Sequence, residues 1–284
     1  MKNLFTLLLT ICASFTMMAD VSFSDKEVLL KLYEATNGNN WTTKWDLSSA
    51  VSTWYGVTLE GDKVIAINLE DNNLVGEIPS EIAKLVNLQE LNLHKNGISG
   101  GIPSSFRNLK ELKVLDLSFN NLSGVIPVSI CEMDKLQDLE LYMNRLSGQL
   151  PTQLGMLQNL ETLALFNNEI EGKIPNSLYE VKTLKILLLS SNKLNGELSV
   201  DVANLKMLEN LSLFENKMDG QVPFGLEKLS NLKEMNISYN MFSGLISRRL
   251  AEMDMLNMTM VNNNGLAVLM DVAIEAERPL VSED

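Results

Sequence analysis

The sequence predicts an α/β solenoid, with a parallel β-sheet along one wall and short helical turns along the other. Three observations carry this. The chain repeats every 24 residues, eight times over and without insertion or deletion: Val64 opens the first copy, and Leu88, Leu112, Leu136, Leu160, Leu184, Leu208, Leu232 and Leu256 open those that follow. One column of the repeat is always asparagine: Asn72, Asn96, Asn120, Asn144, Asn168, Asn192, Asn216, Asn240 and Asn264. Another is always glycine, from Gly76 and Gly100 to Gly244. A unit this short cannot bury its own apolar face and is stable only when neighbours stack on both sides.

Residues 1–19 read as a signal peptide. Lys2 supplies the positive start, Leu4 to Ile11 the apolar core, and Met17, Met18 and Ala19 the end before Asp20. The apolar run, which takes in Cys12, is too short for a membrane span. Residues 20–63 are expected to form an N-terminal cap. Ser24 and Glu27 read as a capping box before an amphipathic helix carrying Val28, Leu29, Leu32 and Tyr33, with Gly38 as its stop.

Residues 64–255 hold the eight full repeats. In the third copy Leu112, Leu115 and Leu117 open the unit, and residues 115–117 alternate inward and outward as a short strand does. Stacked copies pair these strands into one parallel sheet; nine of them, from Ile67 to Val261, would span roughly 40 Å. The asparagine amide carries donors and an acceptor, so it can satisfy backbone groups of its own rung and the next. The glycines suit a positive φ or a close backbone approach. Pro79, Pro103, Pro127, Pro151, Pro175 and Pro223 follow three residues later, where a fixed φ suits a chain leaving a short edge segment; Ser199 and Ser247 break that column. Leu154 and Leu157 then exemplify the apolar pair that closes the far wall with a helical turn. Cys131, set against Ile82, Leu154 and Leu178, is expected to be a small core residue. Residues 256–284 read as a partial ninth repeat (Leu256, Val261, Asn264, Leu266), an apolar cover from Ala267 to Ile274, and a polar tail from Glu275.

The pattern L-x-x-L-x-L-x-x-N-x-L-x-G-x-I-P resembles the plant-type leucine-rich repeat, and Leu88 to Pro103 match it at every defined place. The resemblance covers residues 64–266. It implies a right-handed superhelix, with the strands on the concave face and the short 3-10 or helical turns on the convex side. It also implies that Trp41, Trp45 and Trp54 cover the open end of the core. Plant secreted members usually carry cysteine pairs in their caps, and this cap has none, which makes the chain resemble a bacterial exported relative. No kinase signature has room after residue 266.

The formal net charge is −13, and removal of residues 1–19 makes it one unit more negative. Nucleic acid and anionic membranes need a cationic footprint, so neither is an expected partner. With one histidine and one cysteine beyond the leader, the usual zinc sites have no ligands. No phosphate-binding glycine loop is present, and no cofactor is expected. The triplets beginning at Asn40, Asn121, Asn210, Asn236 and Asn257 match the glycosylation pattern, several simply because the repeat generates them.

The resemblance places ligand binding on the concave face. There Phe119, Tyr142, Met143 and Phe166 fall together on successive rungs, extended by Ala164 and Leu188, with Phe214 two rungs beyond Phe166. Exposed apolar clusters and aromatic anchors mark interaction surfaces. Glu90, Asp116, Asp138 and Glu140 form an acidic area on the same face. Glu70, His94 and Ser118 share one column, which superficially resembles a nucleophile arrangement. Strands about 4.8 Å apart with diverging side chains are expected to leave these groups beyond hydrogen-bond reach. The expected function is a non-enzymatic, exported, monomeric module that binds a protein or peptide. Carbohydrate binding, an adhesive spacer and inhibition of an extracellular hydrolase are the alternatives. Ice binding would want a repeated threonine array, and no column repeats threonine.

Overall fold

The computed structural model describes residues 21–272 apart from Met255, Asn257 and Asn263. The expected leader and the tail beyond residue 272 lie outside the described residues. Each repeat makes one rung of an α/β solenoid. The inner sheet has nine strands: Val57–Glu60, Lys63–Asn68, Glu90–Asn92, Val114–Asp116, Asp138–Glu140, Thr162–Ala164, Ile186–Leu188, Asn210–Ser212 and Glu234–Asn236. From the second strand onward they are parallel, and each residue faces the one 24 positions on, as Leu91 faces Leu115. The central residue of each three-residue strand is buried in one continuous core that runs from Val21 to Met270. The first strand is antiparallel and belongs to the cap.

A second parallel sheet, not anticipated from the sequence, runs along the glycine column. Its seven strands begin at Val75–Glu77 and end at Lys217–Asp219. Glycine inside a strand normally argues for a bulge or turn, which is why this sheet was illegible. From Gly100 to Gly244 the column glycines hold φ between +75° and +90° and still let the ladder form. Residues in this sheet face partners 22 positions on, as Val75 faces Gly97 and Asn195 faces Lys217. One sheet therefore steps straight from rung to rung while the other slips by two residues. Gly76 has a further constraint: a Cβ there would sit 1.9 Å from the carbonyl oxygen of Ala35.

The outer wall is a series of 3-10 turns, such as Ser80–Lys84, Ser104–Asn108 and Val128–Glu132. Pro79, Pro103, Pro127, Pro175 and Pro223 precede turns with φ between −63° and −70°. The two serines that interrupt the proline column cap with their hydroxyls instead. Ser199 accepts from the amide of Asp201, and Ser247 accepts from that of Leu250 at the start of a short α-helix, Arg248–Met253. Tyr179 lies against the first exception. Its ring is fully buried and its hydroxyl makes no hydrogen bond; burial raises its pKa, and the nearby Ser199 backbone N–H offsets part of that rise. Proline at 199 would remove that N–H. Cys131 is fully buried, but it shares its column with Ala83, Gly155 and Tyr179; Ile130 is the residue in register with Ile82. Burial pushes the Cys131 thiol up to about 11.

The N-terminal helix spans Phe23–Ala35 and is capped two residues earlier than the expected capping box. Ser22, not Ser24, is the cap, accepting from the amide of Asp25. Asp25 is thereby free to act elsewhere: its carboxylate accepts from the amide of Val64 and ties the helix to the first rung. Asn37, not Gly38, supplies the left-handed residue after the helix. Trp45 stacks on Trp54 at 4.6 Å and meets Trp41 edge-on at 4.8 Å, with Tyr33 against both Trp41 and Trp45. All three indole N–H groups find backbone carbonyls, of Thr36, Tyr55 and Asp46. These rings are consequently buried without an orphaned donor.

The C-terminal end departs from the repeat. Thr259–Val261 does not join the inner sheet; it pairs antiparallel with Ala267–Leu269. Leu256, Asn264 and Leu266 are exposed, so the ninth copy is no rung and Asn264 is no ladder residue. The buried carboxylate of Asp254 ends the stack instead, accepting from the amide of Ile237 and the hydroxyl of Ser238.

Candidate recognition face

The asparagine ladder determines what the strand face presents. In each middle rung the amide nitrogen donates to its own rung and to the preceding one. Asn144 Nδ2 reaches the carbonyls of Leu117 and Leu141, while its Oδ1 accepts from the amide of Leu122. Asn96, Asn120, Asn168, Asn192, Asn216 and Asn240 repeat the pattern. Asn72 turns to the cap, exchanging bonds with the backbone of Thr43. The residue before each asparagine is forced into the left-handed region. Lys95, Phe119, Met143, Asn167, Ser191, Glu215 and Tyr239 all have φ between +50° and +58°. Their amides reach the next rung, as Phe119 N–H reaches the Tyr142 carbonyl. Bulky side chains at such a φ are uncommon and strained; this column was legible only as a surface position.

The predicted contact residues divide into two groups. Tyr142 and Phe166 stack at 4.3 Å with planes 12° apart. Phe119 meets Tyr142 edge-on at 5.5 Å and His94 at 5.2 Å, so the histidine extends the aromatic row. Met143 lies beside them, its sulfur accepting from Asn167 Nδ2. Leu188 is half-buried next to the buried Ala164. Phe214 stands apart: Ser190, hydrogen-bonded to Ser212, occupies the rung between it and Phe166, and it pairs with Tyr239 at 5.3 Å. Tyr239 was not among the expected contacts, although it falls in the same column as Phe119.

His94 and Ser118 do come within hydrogen-bond reach, contrary to the expectation from strand spacing. His94 Nδ1 lies 2.7 Å from Ser118 Oγ, and that hydroxyl donates to Asp116 Oδ1. The acid is thus Asp116, and not Glu70. The order is carboxylate, hydroxyl, imidazole, with the hydroxyl proton held by the carboxylate. A nucleophilic serine needs the imidazole between acid and hydroxyl. Ser118 is also fully buried. This network therefore positions His94 at the end of the aromatic row.

Asp116, Asp138 and Glu140 form a compact acidic group beside Tyr142. Asp116 faces Glu140 across the sheet, and Asp138 lies two residues before it on the same strand face. Burial, then the charges of Asp116 and Asp138, push Glu140 up to about 7. Burial likewise raises the Tyr142 phenol. Among the described residues no group of three or more His, Cys, Asp and Glu is arranged to hold a metal ion. A groove of about 1150 Å³ lies on another flank, between the second sheet and the turns at Val200–Asn204 and Phe224–Lys228.

The structure is a repeating solenoid with an open, side-chain-decorated strand face. The family described as leucine-rich repeat matches residues 86–146, and a second repeat description matches 63–85, 159–180 and 231–253. The ectodomain of the receptor kinase SOBIR1 from Arabidopsis thaliana is 30% identical, with TM-score 0.54, over 61% of this chain and 95% of that one. The chain belongs to the leucine-rich repeat family, in its plant-type form. It is also similar to a plant peptide hormone receptor, RGFR1, in complex with RGF2 (31% identity, TM-score 0.64, 73% of this chain); it spans only 32% of that chain's length. A plant ice-binding protein aligns over 90% of this chain and all of its own, with 25% identity and TM-score 0.63. No curated protein sequence matches. Among the described residues no helix is long and apolar enough to cross a membrane.

Proposed function

We propose that this protein is an exported recognition module that binds a peptide or a protein segment along its strand face and performs no catalysis. The observation that carries the reading is the aromatic row His94, Phe119, Tyr142 and Phe166, partly exposed on an unpartnered sheet face. Similarity to a receptor bound to a peptide hormone supports it. Export rests on the leader-like residues 1–19. The likeness to an ice-binding protein is not carried over. No column repeats threonine, and the second sheet exposes Arg145, Glu169, Lys193 and Lys217.

Selection of a random displayed peptide library on the purified chain tests the proposal, with a glycan array in parallel. Peptides that bind the wild type and lose affinity for the Tyr142→Ala/Phe166→Ala double variant support it. Selected peptides indifferent to that variant, or binding confined to glycans, would sink it.

A further inference from the structure

The strand face is acidic where the aromatic row crosses it. The outward columns beginning at Ala66, Asn68 and Glu70 contain no lysine or arginine on any of the eight rungs, but hold Glu70, Glu90, Asp116, Asp138 and Glu140 in the first five. The cations that flank these columns are already engaged. Lys95 pairs with Asp71 at 2.9 Å, Lys185 with Glu161, and Lys113 with the side-chain carbonyl of Gln89. Asp116 is held by the amide and hydroxyl of Ser118. Neither the Asp138 nor the Glu140 carboxylate takes a hydrogen bond from any described residue, and Glu140 is half-buried between the other two acids. Tyr142 follows Glu140 by two residues on the same face, and Phe166 stacks on its far side. His94 Nδ1 lies 3.8 Å from Asp116, and Lys185, paired with Glu161, acts on Asp138 only at longer range. The net negative charge, bordered by half-buried rings, complements a cation carried on an apolar stem.

We infer that the bound peptide is basic, and that one lysine or arginine side chain seats its cation among Asp116, Asp138 and Glu140 with its stem along Tyr142. This rests on the peptide-binding reading above and specifies its ligand class. The raised affinity of Glu140 for a proton adds a signature. Its carboxyl faces Asp116 and Asp138, with Tyr142, Glu70 and His94 nearby on the same surface. A bound cation favours the ionised form, so binding releases a proton near neutral pH and strengthens as pH rises from 6 to 8.

The test uses individual peptides from the displayed library, measured by calorimetry at pH 6 and pH 8. The proteins are the wild type, Asp138→Asn/Glu140→Gln and Tyr142→Ala/Phe166→Ala. These acid substitutions spare Asp116 and its bonds to Ser118, and circular dichroism checks that each variant is folded. Lysine and arginine should be enriched beside apolar residues. The acid variant should bind roughly thirtyfold more weakly, the loss expected when a desolvated charge partner is removed. Replacing the peptide's basic residue by norleucine should weaken wild-type binding equally while leaving the acid variant's affinity unchanged. The rise in affinity with pH should vanish in the acid variant. Peptides that need Tyr142 and Phe166 but show no basic preference overturn this inference and leave the peptide-binding reading standing. A library that yields no binders, or binders indifferent to both variants, overturns both.

Discussion

The rings of Tyr142 and Phe166 lie 4.3 Å apart with planes 12° from parallel, on adjacent rungs of one sheet. Parallel strands stand about 4.8 Å apart, so rings at equivalent positions can stack with little displacement. The stack holds both rings in place before any ligand arrives, which lowers the ordering cost of binding. Replacing both by alanine should weaken peptide binding at least tenfold, roughly the loss at an aromatic anchor. Both rings are half-buried, so the double variant should lose about 2 kcal/mol of stability and still fold. Denaturant titration beside a binding isotherm separates the two effects.

Glu140 should destabilise the protein at alkaline pH. Its native pKa of about 7 lies above the ordinary glutamate value, so the native state binds the proton more tightly than the unfolded chain. The resulting stability is fully present below the ordinary glutamate pKa and is lost as pH rises towards 7. Glu140→Gln keeps the neutral shape at every pH. It should match the wild type at pH 4 and be more stable at pH 8, by about 1 kcal/mol once screening of a half-buried group is allowed for. Thermal unfolding of both proteins across pH 4–8 checks this; equal stabilities at pH 8 would contradict it.

The ladder and its apparent ninth member should respond oppositely. Asn168→Ala removes three donated bonds and one accepted bond, leaving the carbonyls of Leu141, Leu165 and Phe166 and the amide of Leu146 short of partners. The expected cost is about 3 kcal/mol. Asn264→Ala, in an exposed turn, should change stability by less than about 0.5 kcal/mol. Chemical denaturation measures both.

Tyr179 and Ser199 should be coupled. Ser199→Pro removes the N–H beside the buried phenol and also the hydroxyl cap on Asp201, and should cost about 2 kcal/mol. In a Tyr179→Phe background the phenol penalty disappears, and the same substitution should cost about 1 kcal/mol less. A double-mutant cycle with no coupling energy would refute the account of why serine stands in a proline column.

Much of the fold was legible because the period is strict. Leucines at fixed offsets specify the inner strands, and Asn96 through Asn240 carry hydrogen-bonding groups that only one geometry uses fully. The second sheet was hidden, since glycine at positive φ reads as a turn and only cross-rung pairing shows it to be a strand. The C-terminal end misled for the opposite reason. Leu256, Val261 and Asn264 keep the spacing, yet among the described residues the chain there folds back on itself in an antiparallel pair. At the candidate site the columns were readable, and so was the neighbourhood of Tyr142 and Phe166. The bond from His94 to Ser118 was not, because an imidazole's reach across a rung depends on its rotamer.

The constant 24-residue pairing of the inner sheet makes the rung an interchangeable unit of length. Excising residues 145–168 would join Asn144 to Glu169 in register, and Asn192 would then donate to the Leu141 carbonyl as it now does to that of Leu165. The shortened body should keep its core, yet Ser190 would take the place of Phe166 beside Tyr142. Architecture survives such an excision and the surface pattern does not, so the number and order of rungs become a means of changing ligands without redesigning the scaffold.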